Sequence, residues 1–224
     1  MFDYSNIDEL VSRRGNYIRK PAGTRPAVWI LEEAGRRAVV KEFTSNGPVY
    51  RNLIGRFLIW RESKAYRKLK GLDGVPELYG VVGGTAIIIE EIQGRYLENI
   101  EKELTLPSSF FLELEKLIEE IHLRGVAHCD LKRAPNILLG SNCRPYIVDW
   151  ASAISRDEFR LFPLDMIYRR FLIDDRLAVI KLKLRHLPDE VTDEQRKRLE
   201  YRSTPEKVIR SIRDFLRSLL QSVS

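Results

Sequence analysis

Two carboxylates and an amide stand in two short stretches of this 224-residue chain. The first stretch is His128-Cys129-Asp130-Leu131-Lys132-Arg133-Ala134-Pro135-Asn136-Ile137-Leu138-Leu139, and the second is Tyr146-Ile147-Val148-Asp149-Trp150-Ala151. A polar loop bearing Asp130 and Asn136 runs into a short apolar strand. A Gly-Ser-Asn turn at 140–142 then reverses the chain, and a second apolar strand delivers Asp149. Such a hairpin can hold Asp130 near a hydroxyl while Asn136 and Asp149 share a metal on a triphosphate. Phosphoryl transfer needs that division of labour, because the protein mainly positions groups and neutralises charge. Taken singly, Asp130 could as well cap a turn and Asp149 end a strand. The ordered set carries the chemistry.

The set resembles the protein-kinase-like superfamily, with His-x-Asp-Leu-Lys and Asn136 as catalytic loop and Asp-Trp-Ala where Asp-Phe-Gly is usual. Asn136 lies thirteen residues before Asp149, the spacing used there for two metal ligands. The six-residue step from Asp130 to Asn136 is one longer than in common protein kinases and RIO kinases. Compact atypical bacterial kinases, RIO-like and resembling lipopolysaccharide sugar (Kdo/heptose) kinases, tolerate the longer loop, and the chain sits nearest to them. The resemblance implies that Asp130, Lys132 and Asn136 form the catalytic set. Asp130 would accept or orient the acceptor's hydroxyl proton, and Lys132 would stand over the transferred phosphoryl. Asn136 and Asp149 would ligate Mg2+, whose preference is for hard oxygen donors. Arg133 either adds charge there or faces solvent, and His128 braces the loop.

The elements that must position these groups begin upstream. Ala27–Leu31 and Ala38–Phe43 read as strands joined by a turn at Glu33-Ala34-Gly35-Arg36. Lys41 ends the second strand, where a Val-Ala-Ile-Lys-type lysine holds the α- and β-phosphates of ATP. After Ser45-Asn46-Gly47-Pro48 a helix is predicted over about 49–70, with Leu58, Glu62, Tyr66 and Leu69 on one face. A carboxylate on an apolar stripe is costly to bury unless it meets a cation, so Glu62 is the expected partner of Lys41. Glu77–Val82 and Thr85–Glu90 are expected strands around a Gly83-Gly84 turn. In the connector that follows, the resemblance assigns the main chains of Glu90 and Ile92 to the adenine. The stretch between the first two strands, Arg19 to Pro26, holds one glycine, Gly23, where protein kinases keep a Gly-x-Gly-x-x-Gly loop. Lys20, Thr24 or Arg25 contributes to phosphate binding there, or is plain solvated loop.

Farther on, Pro107-Ser108-Ser109 opens a helix with an expected serine cap, and Phe110/Phe111, Leu114, Leu117/Ile118 and Ile121 form its buried stripe. Only seventy-five residues follow Asp149, with helices clearest over 177–184 and 208–220, and no Ala-Pro-Glu signal. The expected fold is α+β and two-lobed. An N-lobe over 1–92 has a small antiparallel sheet and one main helix, and a reduced, mostly helical C-lobe covers 93–224.

Hydrophobic content of 44% with 31% charged residues describes a globular chain. No apolar run approaches the length of a bilayer, and the first residues lack the pattern of a secretory signal. Cys129 and Cys143 are expected as reduced thiols, which suits a cytoplasmic protein. Net charge is +5 over 1–90, −5 over 91–130 and +6 over 131–224, so the basic surface favours anionic partners without choosing among them. The expected partners are ATP with Mg2+ and a hydroxyl-bearing acceptor: a sugar or lipid-linked sugar ahead of a Ser/Thr side chain. Nucleic acid is not expected. The basic residues of the 49–70 helix, with Phe57, Leu58, Ile59 and Trp60, add a lesser option of peripheral contact with an anionic membrane at its inner face. The function expected is a Mg-ATP-dependent kinase. The alternative is a weak or inactive relative acting as a nucleotide-binding adaptor.

Overall fold

The computed structural model describes residues 2, 4, 6–100, 103–132 and 134–200. The helix expected over 208–220 and the side chain of Arg133 lie outside them. The chain is α+β and forms two compact units. Of the described residues, one unit runs to Gln93 and takes in Asp149–Ser152; the other comprises Gly94–Val148 and residues 153–200. The short 149–152 segment therefore does not group with the rest of 93–224.

The first unit contains α1 (Ile7–Ser12), β1 (Tyr17–Arg19), β2 (Ala27–Glu33) and β3 (Arg36–Glu42). After them come α2 (Pro48–Tyr50), α3 (Arg56–Lys68), β4 (Leu78–Val82) and β5 (Ala86–Glu90). Its strands make one antiparallel sheet in the order β1-β2-β3-β5-β4. Alternation along the strands divides the apolar side chains between two faces. Trp29, Leu31, Ala38, Val40 and Ile88 pack on one side with Leu10 and Ile7 of α1. Lys41 and Glu62, from β3 and α3, meet on the other. The Gly83-Gly84 turn has both residues at positive φ, 57° and 69°, which matches the twist of the hairpin it closes.

The helix expected over about 49–70 is not uniform. Between α2 and α3 the segment Arg51–Gly55 widens to π-type hydrogen bonding. Gly55 is required there, because a Cβ on it would lie 2.9 Å from Phe43 Cβ. The helix can thus rest against the end of β3.

The second unit contains β6 (Gly94–Tyr96), α4 (Leu97–Ile100), α5 (Ser108–Leu123), β7 (Val126–Ala127), β8 (Ile137–Gly140) and β9 (Pro145–Ile147). It continues with β10 (Ile154–Ser155), α6 (Leu164–His186) and α7 (Asp193–Glu200). Strands β6, β8 and β9 form a three-stranded sheet, and β7 pairs with β10. The stripe of α5 is buried as its spacing predicts. Its cap differs from expectation: Pro107 holds the N-cap position with extended backbone, and Ser108 Oγ donates to Glu190 Oε1 at 2.6 Å. A carboxylate is the stronger acceptor, so the hydroxyl is drawn away from the helix end.

Candidate functional site

Within the first unit, Lys41 meets two carboxylates on one face of the sheet. Strand β3 pairs with β2 and β5 on both sides, and alternation turns Lys41 away from the α1 face. Its Nζ lies 2.8 Å from Glu62 Oε2 and 2.7 Å from Asp149 Oδ1. Glu62 is brought there by the inward stripe of α3, between buried Ile59 and Tyr66. Burial alone would lower the Lys41 pKa, but Asp149 and then Glu62 outweigh it, so the ammonium is held charged with its pKa raised. Burial pushes the Glu62 carboxyl above its ordinary 4.5, against the pull of Lys41. The lysine is thus firmly ionised, while Glu62 is the partner whose charge is costly.

Asp149 is presented by an unusual backbone. Its φ is 63°, in the left-handed region that Asp tolerates better than branched residues. The next residue fixes it. Trp150 is fully buried and meets the Tyr66 ring of α3 edge-on at a centroid distance of 6.5 Å. A short 3-10 turn, Trp150–Ser152, follows. The Trp that replaces the usual Phe therefore anchors the carboxylate to the same helix that supplies Glu62. The Asp149 side chain remains 42% exposed, so it keeps access to a ligand.

The Arg19–Pro26 stretch is held by a residue that sequence reading placed only in a turn. Ala22 and Arg25 bridge each other, and Gly23 has φ 54°. Buried Asn46 donates from Nδ2 to the Gly23 carbonyl at 2.6 Å and to the Arg25 carbonyl at 3.3 Å. In the connector, Glu90 N–H donates to the Glu77 carbonyl at 2.8 Å, and the Glu90 carboxylate accepts from Glu77 N–H at 3.0 Å. Of the Glu90 main chain, only the carbonyl is left for the adenine role expected of it. The other member of that pair, Ile92, follows β5 and is partly buried.

Within the second unit, the loop from His128 to Asn136 is braced from several sides. His128 is fully buried; its Nδ1 accepts from Asp130 N–H at 3.3 Å, so Nε2 carries the proton toward the Val148 carbonyl at 3.0 Å. Asn136 is buried and donates from Nδ2 to the Asp130 carbonyl at 2.9 Å, which leaves Oδ1 as its oxygen donor. Val148, the residue before Asp149, donates its N–H to the Asn136 carbonyl at 3.0 Å. Lys132 is exposed on the turn after Leu131 and forms no hydrogen bond or ion pair with any described residue. Among the described residues no three His, Cys, Asp or Glu side chains cluster as a metal site. Asn136 Oδ1 in this unit and the exposed Asp149 carboxylate in the first are each oxygen donors of the hard type that Mg2+ takes.

Asp175 of α6 was not anticipated. It is buried, and its carboxylate accepts from His128 N–H at 2.8 Å and Cys129 N–H at 3.0 Å, with His122 Nε2 at 3.2 Å. Cys129 needs that support, since its φ is 68°. The signal was present: Tyr168, Leu172, Asp175, Val179 and Leu182 recur every three or four residues, so Asp175 is a carboxylate on an apolar stripe, as Glu62 is. Both cysteines are unbridged.

No family model matches the sequence. The chain is 32% identical over 100 residues to the EKC/KEOPS complex subunit BUD32 of Encephalitozoon cuniculi (strain GB-M1), a match covering 44% of this chain and 49% of that protein. It thus spans about half the length of that curated relative. A solved structure, the Rio2 kinase–ADP/Mg2+–phosphoaspartate complex of Chaetomium thermophilum, superposes with a TM-score of 0.58 at 17% identity. That match covers 86% of this chain and 63% of the Rio2 chain. The chain is thus similar to proteins of the protein-kinase-like superfamily. Its fold is the expected two-lobed one, similar to that of the Rio2 kinase. The five-stranded sheet with α3, and the β8–β9 hairpin beside the His128–Asn136 loop, are the parts of this kinase-like chain that carry its candidate residues.

Proposed function

We propose that the chain is a Mg2+- and ATP-dependent phosphotransferase acting on a hydroxyl. The observation that carries this reading is the double ion pair of Lys41 with Glu62 and Asp149. A buried ammonium set between two carboxylates is expensive as a purely structural device, and isosteric apolar packing would serve stability as well. It suits a site in which Lys41 holds the nucleotide phosphates, Glu62 keeps Lys41 aimed, and Asp149 serves the metal.

In this reading the acceptor oxygen forms a bond to the γ-phosphorus of ATP while the bond to the bridging oxygen of ADP breaks. Asp130 takes or orients the acceptor's proton, and the exposed Lys132 offsets charge on the transferred group. Asn136 and Asp149 hold Mg2+, which neutralises phosphate charge. The Glu90 carbonyl and the Ile92 main chain receive the adenine. The six-residue step from Asp130 to Asn136, resembling that of lipopolysaccharide sugar kinases, favours a sugar or lipid-linked sugar over a protein side chain as acceptor. A cytoplasmic location follows from the supply of ATP.

The test is incubation with labelled ATP, Mg2+ and a cell extract, comparing wild type with Asp130→Asn and Asp149→Ala. Transfer lost in both variants supports the reading, and transfer that persists unchanged in both overturns it. Nucleotide binding without transfer to any acceptor would favour the adaptor alternative, in which the single-glycine turn pinned by Asn46 holds nucleotide but does not promote chemistry.

A further inference from the structure

The outer face of the α2–α3 segment carries Val49, Leu53, Phe57 and Trp60 at spacings of four, four and three residues, which places them along one side of the helix. They are 64%, 66%, 49% and 50% exposed, so a stripe roughly 15 Å long faces outward. The Phe57 and Trp60 rings lie 5.9 Å apart. Arg61 sits over Phe57 at 5.5 Å and Lys64 over Trp60 at 5.4 Å. Seven lysines and arginines fall between Pro48 and Lys70, and the one acid there, Glu62, is turned inward onto Lys41.

Large apolar side chains in a continuous exposed row need a partner. The partner must be anionic, because the helix surface presents cations and no carboxylate of its own. Aromatic rings stand along this exposed face, with long cationic side chains laid across them. That is the chemistry of a helix at a bilayer interface, where rings enter the headgroup region and cations reach the phosphates. We propose that this face of α2 and α3 docks on an anionic lipid surface, with the helix lying in the interface plane. The proposal is independent of the phosphoryl-transfer reading, since none of the four residues belongs to the candidate site.

The experiment is flotation of the full chain with vesicles of phosphatidylcholine alone, or with an equal part of phosphatidylglycerol, at low and high salt. The protein is expected to float with the mixed vesicles at low salt and not with phosphatidylcholine. Salt weakens the binding. Trp60 is the readout in situ: Trp29 and Trp150, the other two tryptophans, are fully buried, so a blue shift on adding vesicles reports Trp60. Phe57→Ser with Trp60→Ser should cut partitioning at least tenfold, and Arg61→Gln with Lys64→Gln severalfold, with melting temperature and nucleotide binding retained. Failure to float with mixed vesicles at low salt would overturn the proposal, as would flotation indifferent to the Phe57/Trp60 pair. A dimer dispersed by Trp60→Ser in the absence of lipid would also overturn it and assign the face to a second copy.

Discussion

Asp175 accepts a hydrogen bond from the main-chain amide of His128 across forty-seven residues of sequence, at 2.8 Å. With the neighbouring Cys129 amide on its other oxygen, the carboxylate holds the strained start of the loop that ends in Asp130 and Asn136. The candidate base is therefore positioned by α6 as much as by its own hairpin.

Replacing Asp175 by Asn turns one acceptor oxygen into a donor and leaves one buried amide without its partner. The expected cost is about 1–3 kcal/mol, which in a chain of this size lowers the melting temperature by roughly 2–4 °C per kcal/mol. Thermal melts measure this. Phosphoryl transfer should fall further than the lost stability explains, because Asp130 is displaced.

For the candidate site itself, Asp130→Asn should lower transfer by on the order of 10²–10⁴-fold while ATP binding persists. Asp149→Ala should lower it by a comparable factor and weaken its dependence on Mg2+. Labelled-ATP transfer together with equilibrium nucleotide binding separates the two. Equal loss of nucleotide binding in both variants would contradict the assigned roles.

The pH dependence has a defined sign. Glu62 has its pKa raised above 4.5, so on acidification it takes up a proton before an ordinary glutamate does, and Lys41 loses one of its two carboxylates. Nucleotide affinity should therefore weaken on an acid limb lying above 4.5. That limb should vanish in Glu62→Gln. Stability runs the other way: an acid with a raised folded pKa contributes most when protonated, and that contribution is lost as pH rises from the unfolded value through the folded one. Glu62→Gln should accordingly be close to wild type in denaturant melts at neutral pH. Transfer should still fall on the order of a hundredfold through misplacement of Lys41.

Trp150→Ala empties a fully buried site under α3 and should cost about 3–5 kcal/mol. Trp150→Phe keeps a ring against Tyr66 and should cost only about 1–2 kcal/mol, with transfer largely retained. Denaturant midpoints for the two variants decide whether this ring, rather than indole chemistry, holds Asp149.

Gly55 offers a purely steric test. Gly55→Val places branched carbons against Phe43, whose Cβ lies 2.9 Å from the position of any added Cβ. Overpacking of this kind costs about 1–3 kcal/mol and would shift α3 and Glu62 away from β3. A variant that melts at the wild-type temperature and keeps full nucleotide affinity would contradict the close helix–strand packing.

Several features were written into short stretches of sequence. The Gly83-Gly84 hairpin and the β2–β3 and β8–β9 pairs follow from turn chemistry and strand composition within about ten residues of one another. Glu62 announced itself as the acid on an apolar stripe, and Asp130, Asn136 and Asp149 as an ordered set. What lay beyond sequence were matters of distant partners. The first of these is α1, six residues long and rich in acid, which acquires meaning only as the lid on Trp29, Leu31 and Val40. Asn46 looks like any turn residue until the Gly23 and Arg25 carbonyls arrive beside it. The serine expected to cap α5 found Glu190 instead. Local backbone preference reaches only a few residues along the chain, so it can choose strand, turn and helix face. The Lys41–Glu62 pair could be expected from an acid on an apolar stripe. That Asp149 joins it and that Asp175 meets His128 is decided by tertiary packing, where an unpaired polar group is too costly to leave alone.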